Sequence, residues 1–592
     1  MHTFRVWAPL PKKVEVAIGS RRHPMRRSEE GWWVAKVASA VPGCDYGFVL
    51  DGHGPFPDPR SAWQPGGVHD LSRFVDHSAF PWTDAGFQAR PLSSAVIYEM
   101  HIGTFTPEGT CDAAIGKLEH LVQLGITHVE LMPVNAFNGC HGWGYDGVGL
   151  FAVHHPYGGP DALKRLVDAC HARGLAVLLD VVYNHLGPSG NYLGNFAPYF
   201  NPRYFTPWGP AVNFDGPHSG EVRRFFCDNA LMWLRDYHFD GLRLDAVHAI
   251  ADTSAVTFLE HLGREVECLG KKLGRPLVLI AESDLNDPRL LWPRERGGYG
   301  LDAQWSDDFH HALHTVLTGE SAGYYADFGA LADLAKALRN AYVYDGRYST
   351  HRRRHHGRAP TGLSGHRFLG YLQNHDQIGN RAQGERMSQL VNLGRLKIGA
   401  ALVLTSPFVP MLFMGEEWGA STPFQFFTDH PEPELAKAVR EGRRREFSSF
   451  GWSPKDVPDP QARATFQRSK LNWAELGRSR HAEMLDWHRR LVQLRRSEPS
   501  LSDGRLDLLQ TRFDESASWL VVERGPIRIV SNLASRAQRV PLDCRRSETL
   551  LASAKSIEVQ GLAVRMPADS TVILRKVEMK RRFDRRIRFA VW

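Results

Sequence analysis

From Phe4 to about Phe80, apolar and polar residues alternate in short runs, FRVWAP, VEVAIG, WWVAKV and YGFVLDG, separated by proline, glycine and charged residues. A period of two puts every second side chain on one face, as a half-buried strand requires. The spacing predicts a small N-terminal β-sandwich over 1–88. The stretch PFPDPRSAWQPGG is too rich in proline and glycine for a regular element, and PWTDAGFQARPLSS reads as a linker.

Beyond residue 88 the pattern changes to continuous apolar runs alternating with amphipathic segments, as a parallel sheet covered by helices requires. Eight such runs occur: AVIYEMH, ITHVEL, LAVLLDVVYNH, FDGLRLDAV, PLVLIAES, LDAQW, FLGYLQNHD and VPMLFMGEE. Before the third, Leu163, Leu166, Val167 and Cys170 fall at helical spacing between Pro160 and Gly174, which punctuate the start and end of a helix. Eight strand–helix units predict an α/β fold, a (β/α)8 barrel over 89–490, with its site at the carboxyl ends of the strands. The longest irregular insertion expected is roughly 187–219, a length that implies a functional loop or small subdomain. After about Leu491 short strands return, predicting a C-terminal β-sandwich over 491–575 and a basic tail over 576–592.

Charge and composition narrow the function. The chain has 592 residues and a net charge of +7, but Arg575 to Trp592 holds eight basic residues and two acids. Without that segment the net charge is +1, so a nucleic-acid partner is not expected. The tail reads equally as a surface arm, an edge strand or an added segment. No apolar run approaches the length of a membrane helix, and Met1 to Pro11 lacks the pattern of a signal peptide. Seven scattered cysteines without a CxxC pair read as reduced thiols, so no metal centre or cofactor is expected and the compartment is the cytoplasm.

The polar residues cluster where the barrel puts its site. Asp180, Asn184 and His185 end the third run, Asp245 the fourth, Glu282 the fifth, His375 and Asp376 the seventh. Hydrolysing a glycosidic bond with retention needs one ionised and one protonated carboxyl, about 5 Å apart. Asp245 and Glu282 end adjacent strands. Arg243 shares a strand face with Asp245 and favours its ionised form, while the apolar run LVLIA before Glu282 favours its protonated form.

Four short motifs appear in order, DVVYNH from Asp180, GLRLDAVH from Gly241, AES from Ala281 and LQNHDQ from Leu372. With them the chain resembles the α-amylase superfamily. That resemblance implies Asp245 as nucleophile, Glu282 as acid/base and Asp376 as the carboxylate that grips the sugar hydroxyls. It further implies substrate binding by Tyr145, Asn184, His185, Arg243, His248, His375 and Gln377. Longer stretches, GWGYDGVGLFAVHHPYGGP, NHDQIGNRAQGER and GEEWGASTPFQFFTDH, resemble the trehalohydrolase branch, whose members release trehalose from maltooligosyl trehalose, which implies that compound and related α-glucans as partners.

Each site residue also has a structural reading. A lone aspartate after Leu-Arg-Leu can cap a strand, NHD can form a turn, Tyr145 and Trp143 can be core aromatics, and Glu416 a strand end. The run Arg347 to Arg358 reads as a solvated loop. Two rival functions stand beside the hydrolase, an α-glucan branching or debranching enzyme with the same carboxylates and a non-catalytic glucan-binding barrel.

Overall fold

The structure, a computed structural model, describes residues 1–448, 453 and 456–577. Eight parallel strands close into a barrel in chain order. They are β1 (Ile97–Met100), β2 (His128–Leu131), β3 (Ala176–Val181), β4 (Gly241–Leu244), β5 (Val278–Ala281), β6 (Ala303–Trp305), β7 (Phe368–Tyr371) and β8 (Val409–Phe413), with β8 pairing back to β1. Each lies inside one of the eight apolar runs. The six residues of β3 are all buried, because a barrel strand is covered on one side by the interior and on the other by helices.

The period of two along the strands organises the inner face. Ile97, Leu178 and Ile280 belong to an apolar cluster with Trp305, Leu369, Tyr371 and Met411. Two residues further along the same strands come Glu99, Asp180 and Glu282. The interior is therefore apolar toward the strand starts and charged at the strand ends, where a (β/α)8 barrel carries its site. Outside, the helix α1 (Gly159–His171) buries Leu163, Leu166, Val167 and Cys170 to 1% exposure or less. The expected helix and its apolar stripe are both present.

Two antiparallel sheets precede the barrel, one of His2–Trp7, Trp32–Val37 and Arg26–Arg27, the other centred on Val14–Ile18 and Asp45–Leu50. The segment read as a linker is pinned to the barrel. Asp84 accepts from His171 and His238 at 2.8 Å each, and the rings of Phe87 and Trp82 stack on those same histidines. After the barrel the helix α2 (Ser479–Ser497) runs through the boundary expected near residue 490. Its buried face, Met484, Leu485, Trp487, Leu491 and Val492, continues the barrel's helical layer, and the C-terminal strands begin only at Leu509. They form a five-stranded and a three-stranded sheet around Val521, Val530, Val564 and Val572. The last strand, Ser570–Lys576, includes Lys576, and Arg575 pairs with Glu548 at 2.8 Å. Lys576, the first residue of the expected tail, therefore belongs to the sheet, while residues 578–592 lie outside the described residues.

Among the described residues no helix is long and apolar enough to cross a membrane. All seven cysteines are free thiols.

Candidate active site

One guanidinium organises the strand ends. Arg243, completely buried on β4, donates from Nη1 to both oxygens of Asp180 (2.9 and 2.8 Å) and to Asp245 Oδ1 (2.8 Å), while its Nη2 lies 2.8 Å from Glu282 Oε2. Its flat face rests 4.3 Å from the Trp305 ring. Strand pairing forces this meeting, because β4 pairs with β5 in the register Leu244 to Ala281, which leaves Asp245 and Glu282 side by side. Two backbone bonds lock the pair. Glu282 N–H donates to Leu244 O at 3.0 Å, and Ala246 N–H donates to Glu282 Oε2 at 2.8 Å.

The surroundings split the two carboxyls electrostatically. Burial pushes Asp245 upward, but Arg243, His185 and hydrogen bonds from Asn184 and Arg243 outweigh it, so the carboxyl lies below its usual range. Burial pushes Glu282 well above the usual carboxylate range, with Asp245, Asp376 and Asp307 adding to it and Arg243 opposing. At neutral pH the arrangement favours a charged Asp245 beside a protonated Glu282. That is the division of labour a nucleophile and a proton donor need.

A second chain of bonds reaches the same arginine from the opposite side. Glu99 on β1 accepts from His375 Nδ1, His375 Nε2 lies 2.8 Å from the Tyr145 hydroxyl, and that hydroxyl donates to Asp180 Oδ2 at 2.6 Å. Burial lowers the His375 pKa, but Glu99 and Asp376 override it and raise the imidazole to about 9. Asp180 is raised to about 6 by burial, against Arg243. Glu130, paired in register with Glu99, is buried with no partner for either oxygen among the described residues, and burial raises it far above its usual range. Burial thus favours its uncharged form beneath the site.

The structure brings most of the expected residues together and redefines two of them. Asn184 and Arg243, expected to bind the sugar, are 1% and 0% exposed. Asn184 donates to the main-chain oxygen and to Oδ2 of Asp245, both at 2.7 Å, so both residues hold carboxylates in place. His185 is stacked under Trp208 with ring centres 4.8 Å apart. Asp376 is the most open of the three carboxylates, its side chain 37% exposed. Gln377 accepts from the Tyr325 hydroxyl at 3.3 Å, and exposed His248 lies 4.0 Å from Asp284. Glu416 and Glu417 are buried, and Glu417 is bonded to His120 at 2.7 Å.

One expectation about loops is corrected, and the insertion over 187–219 takes the second of the two forms its length implied, a small subdomain. The run Arg347 to Arg358 forms a hairpin, Asp345–Ser349 with Arg354–Gly357, in which Arg347 pairs with Asp333 at 2.7 Å and Arg352 with Asp284 at 2.9 Å. The stretch 187–219 contains the helical turn Leu193–Phe196 and the hairpin Phe200–Thr206 with Gly209–Val212. That hairpin presents Phe205 and Trp208, 77% and 48% exposed. Asp180 was placed at the site without an assigned role, while Glu99 and Trp208 were missing from the expected set. The strand periodicity could have found Glu99, whereas nothing local marks Trp208. Among the described residues no group of His, Cys, Asp or Glu could hold a metal ion.

A closed parallel barrel with paired carboxyls of opposite protonation at its strand ends defines a glycoside hydrolase of the α-amylase class. The family profile of the alpha amylase catalytic domain matches residues 86–204. The malto-oligosyltrehalose trehalohydrolase of Rhizobium sp. (strain M-11) is 54% identical over 97% of both chains, and that of Mycobacterium tuberculosis is 52% identical over 98% of this chain and all of its own. A crystal structure from Salmonella typhimurium, 39% identical, superposes over 97% of both chains with a TM-score of 0.89. The chain belongs to the malto-oligosyltrehalose trehalohydrolase family.

Proposed function

We propose that Asp245, Glu282 and Asp376 carry the hydrolysis of malto-oligosyltrehalose. The enzyme cuts the α-1,4 bond next to the terminal trehalose unit and releases trehalose and a malto-oligosaccharide. Asp245 attacks the anomeric carbon while Glu282 gives its proton to the departing glycosidic oxygen, so trehalose leaves and a glycosyl ester forms. Glu282, now a carboxylate, takes a proton from water, whose oxygen attacks the same carbon and frees Asp245. Two inversions give net retention. Asp376 bonds the hydroxyls of the distorted ring, His375 and Tyr145 line the same sugar, and Trp208 offers an aromatic face beside His185.

The observation that carries this reading is the opposite displacement of Asp245 and Glu282 around one guanidinium. We place the reaction in the cytoplasm, where seven free thiols stay reduced. Chromatography of digests tests the function. Maltotriosyl trehalose should yield free trehalose far faster than maltopentaose yields glucose or maltose. Equal rates would reduce the enzyme to a general amylase, and new α-1,6 branches would establish the branching rival.

A further inference from the structure

We propose that Arg443 is a positioning residue for Asp376, acting through the side-chain amide of Asn380. The proposal rests on the reading of Asp376 as the third carboxylate. Arg443 lies on the helix Pro433–Ser448, in the segment that follows β8. Its Nη1 donates to Asn380 Oδ1 at 2.9 Å and its Nη2 to Gly379 O at 2.8 Å. The other end of the amide points at the carboxylate, with Asn380 Nδ2 donating to Asp376 Oδ1 at 3.2 Å.

An amide has one accepting end and one donating end. With Oδ1 held by a guanidinium, the NH2 group faces Asp376. Turning the amide over would set its oxygen against the carboxylate and its NH2 against the arginine, two repulsions in place of two charge-assisted bonds. Arg443 therefore selects the one amide orientation that serves Asp376. The turn beneath is equally fixed. The Arg443 guanidinium lies 4.4 Å over Phe426, Phe426 meets the edge of Trp143 at 5.1 Å, and a Cβ on Gly379 would come within 2.0 Å of the Trp143 ring. Asp376, half open to the cleft, depends on this backing because its own short helix, His375–Gly379, has only five residues.

The test is steady-state kinetics of the full chain on maltotriosyl trehalose, comparing Arg443→Met, Asn380→Ala, Asn380→Asp, Asp376→Asn and the Arg443→Met/Asp376→Asn double variant. Misplacing a reacting group by about 1 Å costs on the order of a hundredfold, so Arg443→Met and Asn380→Ala should lower kcat roughly ten- to a hundredfold with KM changed much less. Asn380→Asp keeps an acceptor for Arg443 but sets a second carboxylate against Asp376 in place of the donor, so it should lose kcat at least as far as Asn380→Ala does. In the Asp376→Asn background the arginine has nothing left to position, and Arg443→Met should cost little more. Equal factors in both backgrounds, or full kcat in Asn380→Asp, would overturn the proposal. Full kcat in Asp376→Asn itself would instead sink the reading of Asp376. If Arg443→Met fails to fold, Arg443→Lys, which keeps the charge but loses the fork that grips Asn380 Oδ1 and Gly379 O together, takes its place in both backgrounds.

Discussion

Arg243 on β4 and Asp245, the first residue past its end, stand two positions apart and are joined by a 2.8 Å bond from Nη1 to Oδ1. The same guanidinium holds Asp180 and Glu282, so it is the shared counter-charge of three carboxyls. Lysine keeps the charge but offers no planar fork to bridge them. Arg243→Lys should therefore fold yet lose kcat by roughly a hundredfold or more. Asp245, freed from part of its counter-charge, should ionise at higher pH, so the acid limb of kcat/KM should move up. An unmoved acid limb would show that Arg243 does not set the state of Asp245.

Glu282 should cost the fold stability at neutral pH. Its ordinary value is 4.5 and its folded value lies well above that, so the native state binds this proton more tightly than the unfolded chain does. A raised value stabilises fully below 4.5 and the contribution fades as pH rises toward the folded pKa. Glutamine is permanently neutral and keeps the shape. The melting temperature of Glu282→Gln should match the parent below pH 4.5 and exceed it increasingly above, while activity on natural substrate collapses. Equal melting at every pH would mean that burial of this carboxyl carries no penalty.

Much of this was legible in the sequence because it is periodic. Ile280 and Glu282 are two residues apart, so a strand that buries one on the inner face must aim the other at the strand end. Arg243 and Asp245 obey the same rule. What the sequence hides is contact between distant segments: Glu99 and His375 meet across 276 residues, and Arg443 and Asn380 across 63. The carboxylate contacts of Asn184 and Arg243 were hidden for a related reason. A motif locates a polar residue at the site, but only packing shows whether it faces a sugar or a neighbouring carboxylate. The boundary near residue 490 failed because the apolar stripe of Ser479–Ser497 continues past it.

The Glu99–His375 pair predicts a second pH dependence. His375 rises from 6.5 to about 9 despite its burial, which favours the neutral ring, because Glu99 accepts from it and Asp376 lies beside it. A raised histidine contributes stability that is complete below 6.5 and lost as pH climbs to about 9. The span corresponds to roughly 3 kcal/mol. Denaturant titrations should show the parent losing about that much between these pH values, and Glu99→Gln should flatten the slope. An unchanged slope in Glu99→Gln would mean that His375 is neutral in the folded state.

The two carboxylates should also separate by chemical rescue, because one makes the covalent bond and the other only moves protons. Asp245→Asn removes the attacking oxygen, so every substrate should fail alike. Glu282→Gln removes only the donor and the base. An α-glucosyl fluoride needs no proton to release its leaving group, so with that substrate the Glu282 variant should still glycosylate Asp245. The ester should then persist, since no base activates water, and intact-mass measurement should find it. Azide needs no base, so it should attack the ester and restore turnover, giving an α-glucosyl azide of retained configuration. A β-azide formed by Glu282→Gln, or a glycosylated Asp245→Asn, would exchange the two roles.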